Sequence, residues 1–438
     1  MSWGVGSGDG APRGFLRLLA ARLTSQVADG WFQAALAGNL LFSPERRAGS
    51  IAIAAGFAIL LLPYSVLGPF VGVFLDRWYR RTSMWLANLL RAAVVIPTAL
   101  LLWRDDQGFW FASLALVVIA ANRFFLAGMG AALPHVVDGT RLVTANAIAT
   151  TLGTASYATG LGTAALLLNA LPMDGHGYAM IAMLGSGGYL ISAVLLRGLF
   201  GRTALGPDDS DRRTDAILAA LTTVVREMVG GLRHLAQRRA AGYAMVVQAG
   251  HRALFGALSL ATLLLFTRYL TTDNARSITG LGAVVAAGGL GALIAAVVTP
   301  IVTRRMPGWA WISMLLAGGA MMLLLLGPTF RAPLLVLCVL LLNVASQGTK
   351  IVVDTTLQHE CDDAYRGRVF SVNDTAFNLT FVAGLFTAAV VLPPNGRSEA
   401  VVVVIALAYA ALAAWYAVLG RRWANRSASQ VAVSAGAR

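Results

Sequence analysis

Apolar runs of roughly 20 residues recur along the whole chain, each ended by a short polar or charged turn. As a helix, a run of that length covers a hydrocarbon core of about 30 Å. Cutting the chain at its charges and Gly/Pro clusters predicts twelve membrane-spanning helices, numbered span 1 to span 12. They cover residues 15–42, 50–75, 82–103, 108–132, 140–170, 177–199, 239–268, 277–302, 309–327, 332–357, 367–392 and 399–420. The expected fold is an all-α membrane protein.

The spans fall into two copies of six. A shift of 224 residues carries Phe42 onto Phe266, Arg80 and Arg81 onto Arg304 and Arg305, and Leu133 to Asp138 onto Leu357 to Asp362. Past a three-residue insertion, Arg141 to Asn146 meets Arg368 to Asn373. Independent landmarks at one spacing imply twelve transmembrane helices in two six-helix pseudo-symmetric halves, a build in which one half rocks against the other around a midplane site. The predicted organisation is a disordered N-terminus (1–14), an N-terminal half (15–199), a cytoplasmic linker (200–238), a C-terminal half (239–420) and a cytoplasmic tail (421–438). Within the linker, Ile217, Leu218, Leu221, Val224, Val225, Met228, Leu232 and Leu235 form one face of an amphipathic helix. Its Arg226, Arg233, Arg238 and Arg239 suit a helix lying in the inner headgroup layer, either as a plain tether or as a regulatory docking site.

Of 438 residues 57% are apolar and 12% charged, which excludes an ordinary soluble domain. The net charge of +14 would suggest nucleic acid if its placement were ignored. With the N-terminus inside, the outer loops hold Arg46, Arg47, Arg104, Arg268, Arg276, Arg331 and Arg397, while Arg91, Arg123, Arg252 and Lys350 lie within spans. The other 23 of the 34 basic residues are on the inner side. That bias predicts a multi-pass protein of a bacterial-type plasma (inner) membrane with both termini cytoplasmic. Membrane lipids, not nucleic acid, are then the partner of the basic excess. Span 1, with Arg13, Arg17 and Arg22 before or at its start, reads as a retained anchor. Cys338 and Cys361 are about 35 Å apart along a helix, too far for a disulfide within one chain. No Gly-rich phosphate loop, metal-ligand cluster or ATP motif is visible, so neither cofactor nor metal is expected. His135 with Asp138 and His359 with Asp362 look like short acyl-transfer motifs, but they are copies in equivalent inner loops and no enzyme is expected.

Between spans 2 and 3 stands Gly72-Val-Phe-Leu-Asp76-Arg77-Trp-Tyr79-Arg80-Arg81. This Gly-x-x-x-Asp-Arg-x-x-Arg-Arg pattern resembles the signature loop of the major facilitator superfamily of transporters, with Tyr79 where that family usually has Gly. The resemblance implies a gating role for Gly72, Asp76, Arg77, Arg80 and Arg81; the second-half copy has Pro300 at the Asp76 position. Span 1, with Ser25, Gln26, Asp29 and Gly30, and the paired inner loops resemble the drug, macrolide and siderophore exporter branch, although span 5 lacks that branch's Gly-Pro pair.

An ionisable side chain inside a bilayer costs several kcal/mol unless it is paired or solvated, so each is a candidate for function. Asp29 is the sole acid near the middle of a predicted span, and Gln26 and Gln33 share its face. It reads either as a proton-coupling carboxylate or as an ion held by a structural partner. Its expected partner is Arg123 beside Asn122 in span 4, where the family resemblance implies an arginine linked to proton transfer. Arg91 in span 3 is expected to reach back toward the inner surface or to serve the signature loop. In span 10, Asn343, Gln347, Lys350 and Asp354 form one polar stripe, with Lys350 and Asp354 spaced to pair. His251 and Arg252 in span 7 complete the candidate substrate cavity.

The sequence therefore predicts a secondary active transporter, a proton-coupled exporter of amphipathic small molecules such as a drug, natural product or siderophore, with a monomer implied by the family. A carrier of lipids or anionic metabolites and a non-transporting membrane sensor are the alternatives.

Overall fold

A computed structural model of the chain describes residues 11–42, 49–51, 53–56, 58, 70, 74–75, 77–106, 108–138, 141–168, 170–172, 174–206, 217–270 and 274–436. Its long elements are helices: α1 (Ala11–Phe42), α2 (Arg80–Trp103), α3 (Phe109–Ala132), α4 (Leu142–Leu168), α5 (Gly175–Leu199), α6 (Ile217–Gln237), α7 (Arg239–Leu264), α8 (Asn274–Thr303), α9 (Gly308–Leu326), α10 (Ala332–Glu360), α11 (Asp363–Val391) and α12 (Glu399–Gly436). Among the described residues, nine helices are long and apolar enough to cross a membrane. They correspond to spans 3, 4 and 6 to 12. Span 2 lies largely outside the described residues. Spans 1 and 5 are continuous helices whose apolar pattern is interrupted, by Gln26, Asp29 and Gln33 in α1 and by Thr150, Thr151, Thr154, Thr159 and Thr163 in α4. The chain is an all-α, multi-pass membrane protein.

Two helices outrun their predicted limits. α1 begins at Ala11, inside the segment expected to be disordered, and α12 runs on to Gly436 through the predicted tail. Residues 421–435 contain neither Gly nor Pro, so nothing in them stops a helix.

The chain divides into two compact units, Met1–Ala48 with Ala58–Val225 and Gly49–Phe57 with Arg226–Arg438. In the first, α1 packs along α4 and α5, and α2 along α3 and α5. Phe32, Val95, Leu102, Tyr178, Ile181 and Tyr189 are the bulky centre of its larger core. The α1–α4 crossing depends on Gly30 and Gly160, since a Cβ on either would strike the other helix's backbone at Tyr157 O or Val27 O. In the second unit, α7 packs on α11, α8 on α10 and α9 on α12. The α7–α11 crossing repeats the device, with Gly256 against the Phe381 carbonyl and Gly384 against the Ala253 carbonyl.

Candidate functional site

Three helices of the first unit each bring a polar stripe to one point. Ser25 and Asp29 are one turn apart on α1, Asn88 and Arg91 one turn apart on α2, and Tyr189 and Ser192 one turn apart on α5. Arg91 Nη2 donates to Asp29 Oδ1, and its Nη1 donates to Ser25 Oγ at 3.0 Å and Asn88 Oδ1 at 2.9 Å. Tyr189 OH donates to Asp29 Oδ1 at 2.9 Å, while the Arg91 guanidinium stacks 3.7 Å from the centre of the same ring. Asn88 Nδ2 reaches Ser192 Oγ at 2.9 Å, and Ser192 Oγ donates to Ala21 O at 2.7 Å. Asn122 of α3 lies beside the carboxylate, whose Oδ2 has no hydrogen-bond partner among the described residues. Arg91 is 0% and Asp29 4% exposed, so this pair is dry.

The sequence pairing of Asp29 with Arg123 is therefore corrected: the partner is Arg91, whose guanidinium lies buried against Asp29 and Tyr189 instead of reaching back to the inner surface. Helix rise alone placed Arg91 deep, but its direction is decided by Asn88 and the α5 stripe, whose three-residue spacing was the available signal. Arg123 is part-buried on α3 and Gln26 part-buried on α1. Gln33 accepts from Tyr157 OH at 2.7 Å.

The second unit gathers its charges differently. On α10, Lys350 Nζ donates to Asp354 Oδ2 at 2.8 Å, with the two side chains 30% and 27% exposed. Asn373 of α11 donates to Asp354 Oδ1 at 3.4 Å and accepts from Gln248 of α7 at 3.2 Å. Arg252 of α7 lies 3.8 Å from the Phe377 ring centre and 4.4 Å from that of Phe381, and its Nε donates to the Phe377 carbonyl at 3.4 Å. Lys350 Nζ is 5.3 Å from the centre of the same Phe377 ring, so one aromatic side chain contacts both cations. Asn343 is part-buried and donates to Val339 O at 2.9 Å; Gln347 is part-buried between it and Lys350. His251 is fully buried against Phe255 and Tyr409, and Phe255 also lies 5.6 Å from the Arg252 guanidinium. Phe377, Phe381 and Asn373 were missed in the sequence because an aromatic or amide at helical spacing reads as packing until an arginine is seen to lie on it.

The polar face of α10 is part-exposed, whereas fully exposed positions of the same unit carry Val285, Leu293, Val297, Met321 and Leu325. Ionised groups do not stay on a hydrocarbon-facing surface, so the Lys350 face meets water or solute.

Of the signature loop, Gly72 and Asp76 lie outside the described residues. Arg77 is nearly buried. Arg80 Nη1 donates to Ala131 O at 3.0 Å and stands 3.4 Å from His135 Nδ1; its backbone N–H donates to Gly206 O at 2.8 Å. Arg81 Nη2 donates to Arg197 O at 2.6 Å. These arginines tie the ends of α2, α3 and α5 together.

Known proteins place this architecture. The chain is 37% identical over 414 residues to uncharacterized MFS-type transporters of Mycobacterium tuberculosis and Mycobacterium bovis, covering 93% of this chain and 91% of each relative. Among solved structures, it is similar to the nucleoside transporter NupG, with a TM-score of 0.67 at 13% identity, over 92% of this chain and 98% of that one. A bacterial homologue of the human lysosomal transporter Spinster aligns with a TM-score of 0.66 at 12% identity, over 95% and 98% of the two chains. The family model of the Major Facilitator Superfamily matches residues 23–385, so the chain belongs to that superfamily and is a secondary transporter.

Proposed function

We propose that this secondary transporter carries amphipathic small molecules bearing an anionic group, with the Lys350–Asp354 pair coupling their movement to protons. The observation that supports this reading is that pair's partial exposure, with Lys350 and Arg252 both set against the ring of Phe377. Two cations against one carboxylate leave the cluster with a positive excess, and Phe377 and Phe381 add a flat apolar surface. An anionic head group competes with Asp354 for Lys350. Displaced from its cation, Asp354 takes up a proton, so substrate and proton occupy the site together. Asp29, held between Arg91 and Tyr189, braces the first unit in this reading rather than carrying protons.

Export in exchange for protons is the second reading, supported by the span 1 resemblance to the exporter branch. There substrate and proton compete for Asp354. Both readings place a monomer in the bacterial plasma membrane with its termini cytoplasmic.

Proteoliposomes with a pH-sensitive dye inside separate the two. Added amphipathic anions should drive proton flux in the direction of substrate movement, and the flux should vanish in Asp354→Asn. Flux opposite to the substrate would favour exchange. Flux unchanged in Asp354→Asn, or absent with every amphipathic anion tried, would remove the assignment.

A further inference from the structure

The helix α6 has two faces with different fates. One face is fastened to the start of α11: Glu227 Oε1 accepts from Arg368 Nη2 at 3.1 Å, and Arg238 Nη2 donates to Asp362 Oδ1 at 2.7 Å. Between them His234 stacks on Tyr365 with ring centres 4.5 Å apart, and Gly231 lets the Arg368 backbone approach so closely that a Cβ there would sit 3.2 Å from it. Positions 227, 231, 234 and 238 recur every three or four residues, so they form a single stripe.

Nearly opposite lie Val225, Val229 and Leu232, exposed by 51%, 41% and 52%. They too recur at helical spacing, and Arg226 and Arg233 flank them along one side, both exposed. An apolar stripe bordered by arginines on a short helix is the pattern of a segment lying in a bilayer's interfacial layer. Its position agrees: α6 ends at Gln237 and the membrane-crossing α7 begins at Arg239, with Arg238 alone between them. One end of α6 is therefore held at the membrane surface by chain connectivity.

We infer that the Val225–Val229–Leu232 face of α6 binds the bilayer surface, with Arg226 and Arg233 on anionic phospholipid headgroups. The ion pairs at Glu227 and Arg238 join this lipid-facing helix to the first turns of α11, the helix that carries Asn373 and Phe377. The surface lies outside the substrate cluster, and its test does not depend on transport.

The experiment uses the full chain in nanodiscs, with a nitroxide at Val229→Cys and separately at Leu232→Cys, in a Cys338→Ala, Cys361→Ala background. In discs of phosphatidylcholine with phosphatidylglycerol, both labels should be accessible to oxygen, shielded from a water-soluble nickel complex, and about 5–10 Å deep. Arg226→Gln with Arg233→Gln should lower the membrane-bound fraction by roughly fivefold per arginine, as should replacing phosphatidylglycerol by phosphatidylcholine. Labels that stay in water in every disc would overturn the inference. So would equal depth in phosphatidylcholine alone, which removes the anionic partner. Shielding that rises with protein concentration in detergent would assign the face to a second copy instead.

Discussion

The packing of the first against the sixth span can be compared between the units, because the same helix pair is built with different chemistry in each. In the first unit α1 lies closely along α5, and the contact encloses Asp29, Arg91 and Tyr189 in a chain of hydrogen bonds. In the second, α7 touches α12 more sparsely and the contact encloses His251 and Tyr409, rings 5.6 Å apart. Neither ring nitrogen of His251, nor the Tyr409 hydroxyl, finds a hydrogen-bond partner among the described residues. The second unit keeps its charges elsewhere, on α10 and α7, where they are part-exposed. One copy of the repeat thus buries its charges in the helix contact and the other leaves them part-exposed.

The sharpest way to break the comparison is at Asp29. Removing one member of a buried ion pair leaves the other uncompensated, at a cost of about 3–5 kcal/mol. Asp29→Ala should lower the thermal midpoint of the detergent-solubilised protein by many degrees. Removing both charges by Asp29→Ala with Arg91→Met should recover most of the loss. If Asp29→Ala leaves stability unchanged and abolishes proton flux, the pair is functional rather than cohesive and the contrast between units collapses.

Lys350 should behave in the opposite way. Its pair with Asp354 is part-exposed, and such pairs contribute about 0–1 kcal/mol. Lys350→Met should therefore leave the thermal midpoint nearly unchanged. Substrate affinity should fall by about ten- to hundredfold, the worth of one charge-assisted hydrogen bond. Binding isotherms in the same detergent check both halves of this statement.

His251→Phe offers a smaller effect of reversed sign. An apolar ring of similar shape removes two buried nitrogens that have no hydrogen-bond partner among the described residues, so stability should be unchanged or rise by about 1 kcal/mol. A loss of several kcal/mol would show that His251 is held by interactions equivalent to those of Asp29.

These contrasts were unevenly legible in the sequence. The spans, the repeat and the Lys350–Asp354 pair follow from periodicities that a single helix contains, and the fold they imply is the one observed. The contact of two cations with the ring of Phe377, and the Arg91–Asp29 pairing across α1 and α2, depend on how separate helices rotate against one another. Rotation is fixed by small residues such as Gly30 and Gly160, whose meaning appears only when the partner helix is in place. Asp29 was singled out correctly as a buried charge, but depth along a helix does not choose between neighbours at the same depth.

The finest test concerns the starts of α5 and α12, where Asp174 and Ser398 each stand just before the first turn and cap it. Asp174 accepts from the backbone N–H groups of His176 at 2.9 Å and Gly177 at 3.2 Å, and Ser398 Oγ accepts from Val401 N–H at 3.3 Å. Each cap contributes about 1 kcal/mol at most, less for the half-exposed Asp174. Desolvation raises the Asp174 pKa, but hydrogen bonds from Gly177 and His176 outweigh it and hold the carboxyl below its ordinary 3.8. A depressed carboxyl stabilises the fold above its unfolded pKa, and that contribution disappears as pH falls through the lower folded value. Ser398 has no such titration. Amide exchange of the first turn, corrected for intrinsic rates, should therefore speed up on acidification in α5 more than in α12. Asp174→Ser should abolish the difference. Equal acid sensitivity in both turns would mean that the ionised cap adds nothing a hydroxyl does not.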